Sequence, residues 1–262
     1  MPTMLAMLPS LPVLAASFAV ALAAGFVRGF SGFGFSAVCV AGLALFVPPS
    51  TVVPAVLALE IVASIDMLRP AMRHADRGWV AWLLAGNLVF VPVGIALLAV
   101  LPPTPLRFLV SGSLFTAAIV LRATIGRTFA ASVPLRVAAG VASGLLNGLA
   151  ASGGVAAAML LSAAAVPPAR LRGTMVVFLL FAGAWSLVCA ALMTVTGTGA
   201  TPLLGSQTLV WMAVLAPGML VGIRVGHRAF TGADPSGYRK RVLELLIVIC
   251  AFGLARAFLD LR

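Results

Sequence analysis

From Gly173 to Ile223 the chain runs for 51 residues without one Asp, Glu, Lys or Arg, and its first 59 residues hold a single charge, Arg28. No soluble fold is built this way. A soluble domain carries roughly 25% charged residues to keep its surface hydrated, whereas here the fraction is 9% and 62% of the residues are hydrophobic. Stretches of this kind are solvated by lipid. The formal net charge of +11 would in a soluble protein point to nucleic acid, but the charges are too sparse for a phosphate-tracking surface. Nucleic acid is therefore excluded as a partner, and membrane lipid takes its place.

At about 20 residues per crossing, 262 residues leave only short loops, so the chain is one integral membrane domain. Apolar runs at 52–69, 79–101 and 105–125 each suit a helix that spans a hydrocarbon core of about 30 Å. Ahead of them lies a longer run, 12–47, interrupted by Gly25, Gly29, Gly32 and Gly34. The second half repeats the arrangement. A run over 137–166 is broken by Gly148, Ser152, Gly153 and Gly154, and spans follow at 173–195, 209–226 and 242–259. The arms of each broken run come to about 14 residues, or about 21 Å, short for a crossing, so half-helices or a re-entrant hairpin are expected. Absence of Lys and Arg before residue 28 argues against a secretory signal, and the first run is expected to stay in the fold.

Blocks of identical residues recur in order. Gly25 and Gly29 match Gly140 and Gly144; Val47-Pro48-Pro49 match Val166-Pro167-Pro168; Val93-Gly94-Ile95 match Val221-Gly222-Ile223; Arg122-Ala123 match Arg256-Ala257. The chain divides accordingly into repeats at 1–130 and 131–262. Basic residues set the orientation. The segments 69–77, 122–136, 170–172 and 224–241 hold 13 of the 17 Lys and Arg residues, and this side is read as cytoplasmic. The long basic segment 224–241 doubles as a contact to anionic lipid. Pro48-Pro49 then falls outside and Pro167-Pro168 inside, which makes the repeats inverted. The expected fold is an all-α polytopic membrane protein of two inverted repeats, each a glycine-broken helical hairpin plus three transmembrane helices, the build of secondary transporters.

Chemistry concentrates at the first break. A charge at membrane depth costs several kcal/mol unless it meets a cavity, a partner or an anion. Arg28, beside Gly29, Ser31, Gly32 and Gly34 and ahead of a helix start near Ser36, would form an anion site in which free N–H groups and the helix dipole add positive potential. Snorkelling to an interface, or pairing with Glu60, is the alternative reading of Arg28. Glu60, in the middle of the 52–69 span, is a proton-coupling or counter-charge carboxylate, or the structural partner of Arg28. Asp66 and Arg69, three residues apart, are expected to pair at the surface. In the second half Ser143 and Leu179 replace Arg28 and Glu60, while Asn147, Ser152, Gly153, Gly154 and Thr174 offer neutral donors for an anion, or else close packing for helices.

An enzyme fits less well. Gly29-Phe30-Ser31-Gly32 has the GxSG spelling of intramembrane serine proteases, but a nucleophile needs a base, and His74 and His227 both fall in charged loops. No HExxH or CxxC is present, Lys240 follows no phosphate-binding glycine loop, and Cys39, Cys189 and Cys250 stand apart in apolar runs as packing residues. Neither a metal nor another cofactor is expected. A membrane subunit without transport activity is the remaining alternative.

The two tips resemble the TauE/SafE-like membrane proteins, named for sulfite and organosulfonate export. The likeness rests on Gly25-Phe26-Val27-Arg28-Gly29-Phe30-Ser31-Gly32-Phe33-Gly34 followed by Pro48-Pro49, and on Gly144 to Gly154 followed by Pro167-Pro168, Arg172 and Thr174. It extends over essentially the whole chain. It departs at Val155, where the family often has Pro or another Gly. The resemblance implies a permease for small, often sulfur-containing anions such as sulfite, thiosulfate or sulfonates in a bacterial inner membrane. Protons are a candidate coupling ion, and homo-oligomerisation stays open.

Overall fold

The computed structural model describes residues 9–65, 67–123, 130–164, 166–197 and 203–230. The span expected at 242–259, most of the basic segment 224–241, Cys250 and the Asp66 side of the Asp66–Arg69 pair lie outside these. Ten helices account for the described regular structure: α1 Leu11–Ser31, α2 Phe35–Leu43, α3 Pro49–Ile65, α4 Leu68–His74, α5 Arg77–Val100, α6 Pro103–Ala123, α7 Val133–Ala150, α8 Gly153–Ala163, α9 Pro168–Thr196 and α10 Ser206–Phe230. Five of them, α1, α5, α7, α9 and α10, are long and apolar enough to cross a membrane; counting the α3–α4 pair, bent by 74°, makes six. The protein is therefore all-helical among the described residues and multi-pass.

The broken runs differ from expectation in where they break. Their arms are unequal, 21 and 9 residues in the first and 18 and 11 in the second, rather than two of about 14. The long arms can span; only the short ones cannot. Gly25 and Gly29 do not interrupt α1. The helix ends at Gly32, whose left-handed φ of +81° lets its N–H close onto the Arg28 carbonyl, and Gly34 at φ +91° starts α2. A side chain is disfavoured at either angle. The chain then doubles back, since Gly34 lies against Val27 and Gly42 against Val20. In the second hairpin the turn is made by Ala151 in the left-handed region, φ +52°, and α8 starts back against Ser143 and Asn147.

The short arms form the centre of the bundle. All nine residues of α2 and most of α8 are buried, while Leu88, Val89, Val93 and Val188 on the long helices are exposed. That is the inside of a bundle whose outer surface faces hydrocarbon.

Two glycine seams hold the hairpins in place. On α10, Gly218, Gly222 and Gly226 sit on the backbone of Phe18, Leu22 and Phe26 of α1, and Gly25 and Gly29 of α1 meet Met219 and Ile223 in return. Likewise Gly140, Gly144 and Gly148 of α7 interlock with Gly86 and Gly94 of α5. Residue numbers rise together along both seams, so each pair runs parallel. Glycine at every fourth position removes the side chains that would hold two backbones apart, and packing contact replaces the hydrophobic effect that lipid cannot supply. Each hairpin thus packs on a long helix from the opposite half of the chain.

The charged termini gather at one end. Arg136 at the start of α7 stacks 5.5 Å from the Trp79 ring centroid near the start of α5. Gly173 near the start of α9 packs on Ala71 and Ala75, and Gly32 at the end of α1 packs on the Arg172 side chain, with Cγ 2.7 Å from where a Cβ would stand. Consequently α1 and α10 finish where α5, α7 and α9 begin, and the two hairpins point in opposite directions.

Candidate functional site

Arg28 lies in the last turn of α1 and is fully buried, 0% exposed. Its Nη1 is 2.5 Å from Oε1 of Glu60, itself 2% exposed in α3, and the two form a direct ion pair. Nη2 donates to Ser64 Oγ at 2.7 Å, and that hydroxyl donates to the Glu60 carbonyl at 2.7 Å. The pattern follows from helix geometry. Residues four apart share a face, so one planar guanidinium spans Glu60 and Ser64 across a single turn, and the serine back-bonds its own helix while accepting from Arg28. Glu60 Oε2 and Arg28 Nε make no hydrogen bond. A charge pair held in a bilayer interior is costly unless its partners stay together.

The adjoining turn holds the remaining first-half candidates. Ser31 Oγ lies 2.8 Å from the Val27 carbonyl and 2.6 Å from that of Phe33, and accepts from Phe33 N–H at 3.4 Å. Its hydroxyl is engaged with the break; His74 and His227 do not lie in loops as expected but on α4 and α10, where both are exposed. Ser36 is buried in the first turn of α2. Gly29 faces away from this turn, into the seam with α10.

Of the second-half candidates, Asn147, Ser152, Gly153 and Gly154 lie around the α7–α8 turn. Asn147 Nδ2 donates to the Ala182 carbonyl at 3.2 Å and to Ser186 Oγ at 2.8 Å. Ser152 Oγ donates weakly to the Leu146 carbonyl at 3.3 Å, Gly153 backs onto Ser143 and Asn147, and Gly154 onto Leu179 and Met175. Thr174 stands elsewhere. Its Oγ1 accepts from the Asp76 N–H at 2.9 Å, supporting the residue whose carboxylate caps α5 through Trp79 N–H at 3.1 Å. Along α9, Gly32 touches Arg172 and Gly154 packs on Met175 and Leu179, while Asn147 reaches Ala182, next to the Gly183 that meets Leu57 and Ile61 of α3 on either side of Glu60.

Three polar residues escaped the sequence reading: Ser64, Ser186 and Asn87, whose Nδ2 donates to Ser143 Oγ at 3.0 Å. Each sits four residues from, or across a helix pair from, a residue that was noticed, so only known contacts reveal them. Among the described residues no three His, Cys, Asp or Glu side chains converge as metal ligands.

Among the described residues Arg28 and Glu60 are the two fully buried charged side chains, inside a multi-pass helical bundle of the kind found in membrane transporters. The sulfite exporter TauE/SafE family matches residues 17–253, nearly the whole chain, and the protein belongs to that family. No curated protein and no solved structure shows significant similarity to the chain.

Proposed function

We propose that the protein is a secondary permease for a small sulfur-containing anion such as sulfite, thiosulfate or an organosulfonate. It works by alternating access in a bacterial inner membrane, with its charged end in the cytoplasm. The observation that carries the reading is Arg28, a fully buried guanidinium in a stretch of 59 residues that has no other charge. A planar fork suits a sulfonyl or sulfite group, which presents two oxygens side by side. The turn from Gly32 through Gly34 to Ser36 follows directly, and the first N–H groups of α2 have no intrahelical acceptor. Asn147 and Gly154 hold the second hairpin against α9 while Ser152 and Gly153 close its own turn, and the hairpin is the counterpart that rocks against the first.

Inverted repeats are part of this proposal. In their favour, each hairpin packs on the other half's long helix, the two hairpins point in opposite directions, and the receiving helices α5 and α10 carry the matching Val-Gly-Ile blocks. Alternating access then becomes a motion of one hairpin with its borrowed helix against the other such unit.

The test is uptake of labelled sulfite, thiosulfate and a sulfonate into proteoliposomes. Arg28→Lys keeps the charge and loses the fork, so it is expected to fold and to transport poorly. Wild-type rates in this variant would overturn the assignment of Arg28.

A further inference from the structure

In the state described here, Arg28 is already occupied. Its charge is met by Glu60 at Nη1 and its other terminal nitrogen by Ser64, so an incoming anion does not find Arg28 free. Among the described residues, Arg28 and Glu60 are the two fully buried charged side chains. Around Glu60, α1 supplies Arg28 and α2 supplies the thiol of Cys39, which lies within electrostatic range. From α9, the half-buried Arg172 packs its side chain on Gly32 and lies within electrostatic range of Arg28. The charged groups of α10, Arg224, His227 and Arg228, are exposed.

Burial limits which states can exist. One positive and one negative charge sum to zero, and an anion added to them would leave a net negative charge in a medium that solvates it poorly. Two arrangements keep the sum at zero: the closed pair, or Arg28 with the anion and an uncharged Glu60. We infer that Glu60 acts as a resident counter-anion that the substrate replaces at Arg28, so that each monoanion is bound together with one proton taken up by the Glu60 carboxylate.

The proton adds to a carboxylate oxygen and no covalent bond to the anion forms. Bound anion and proton together carry no net charge, so for a monoanion the cycle is electroneutral and driven by pH rather than by voltage. The unbonded Oε2 is the free acceptor for that proton. This inference rests on the reading of Arg28 as the anion site.

Methanesulfonate is a suitable probe because it stays a monoanion across the usable pH range. Calorimetric titration of the wild-type protein in two buffers of different ionisation enthalpy should show one proton taken up per anion bound. The dissociation constant should rise about tenfold per pH unit, the slope required when one proton is linked to binding. In Glu60→Gln, purified with methanesulfonate present, proton uptake and the pH slope should both vanish while binding persists. Binding without proton uptake in the wild-type protein would overturn the inference and leave the anion site standing. No binding by the wild-type protein at any pH, or binding unchanged in Arg28→Lys, would overturn the anion site itself. The wild-type measurement decides the matter even if Glu60→Gln does not fold.

Discussion

The Arg28–Glu60 pair should behave as a unit when it is taken apart. With charge centres about 4 Å apart, its attraction is about 4 kcal/mol at an effective dielectric constant near 20. This agrees with the roughly 3–5 kcal/mol lost when one member of a buried pair is deleted and the other is stranded. Arg28→Met leaves the Glu60 carboxylate with no partner and Ser64 without its donor, and Glu60→Leu leaves a buried guanidinium held only by Ser64. Each single variant is therefore expected to lose about 3–5 kcal/mol in the absence of anion. The double variant strands no charge and should lie within about 1 kcal/mol of the wild-type protein, or above it. The assay is unfolding of the purified protein in detergent, monitored by circular dichroism, arranged as a double-mutant cycle. Losses that simply add in the double variant would refute the reasoning, because they would mean that neither charge depends on the other.

Two further expectations concern the scaffold. At Gly94 a methyl group would lie 2.6 Å from the Leu145 carbonyl oxygen and 2.7 Å from the Leu149 nitrogen, while at Gly205 it would meet nothing within 4 Å. Gly94→Ala should therefore destabilise the protein by about 1–3 kcal/mol through overpacking while Gly205→Ala does not, and equal melting temperatures would contradict the seam. Asn147→Leu removes both hydrogen bonds to α9 and leaves the Ser186 hydroxyl, which still donates to the Ala182 carbonyl, without the donor it accepts from, at an expected cost of about 1–3 kcal/mol, measured by the same unfolding assay.

Much of the helix layout was legible because lipid imposes a simple rule on sequence. Uncharged runs become helices, and α5, α9 and α10 lie within a few residues of the runs that foretold them. The position of the first break was less so. Gly25, Gly29, Gly32 and Gly34 look alike in sequence, yet the first two serve a seam and the last two a turn. What separates them is the approach of α10, some 190 residues away in the chain. The pairing of Arg28 with Glu60 was open to inference, since in an uncharged stretch a cation has few partners to choose from. The third member, Ser64, was not, because a serine in an apolar span resembles packing until the guanidinium is seen to reach it. Thr174 shows the converse: a hydroxyl near a family motif that the fold uses to support the start of α5.

The seams also have a consequence for how the chain is made. Gly25 enters the membrane nearly 200 residues before Gly222, which it will finally meet. At 5–20 residues per second that interval is about 10–40 s, during which the glycine face of α1 must be covered by lipid or by the insertion machinery. Arg28 faces no such delay. Glu60 follows it by 32 residues, so the one charge of the first hairpin can be neutralised while the rest of the protein is still being translated.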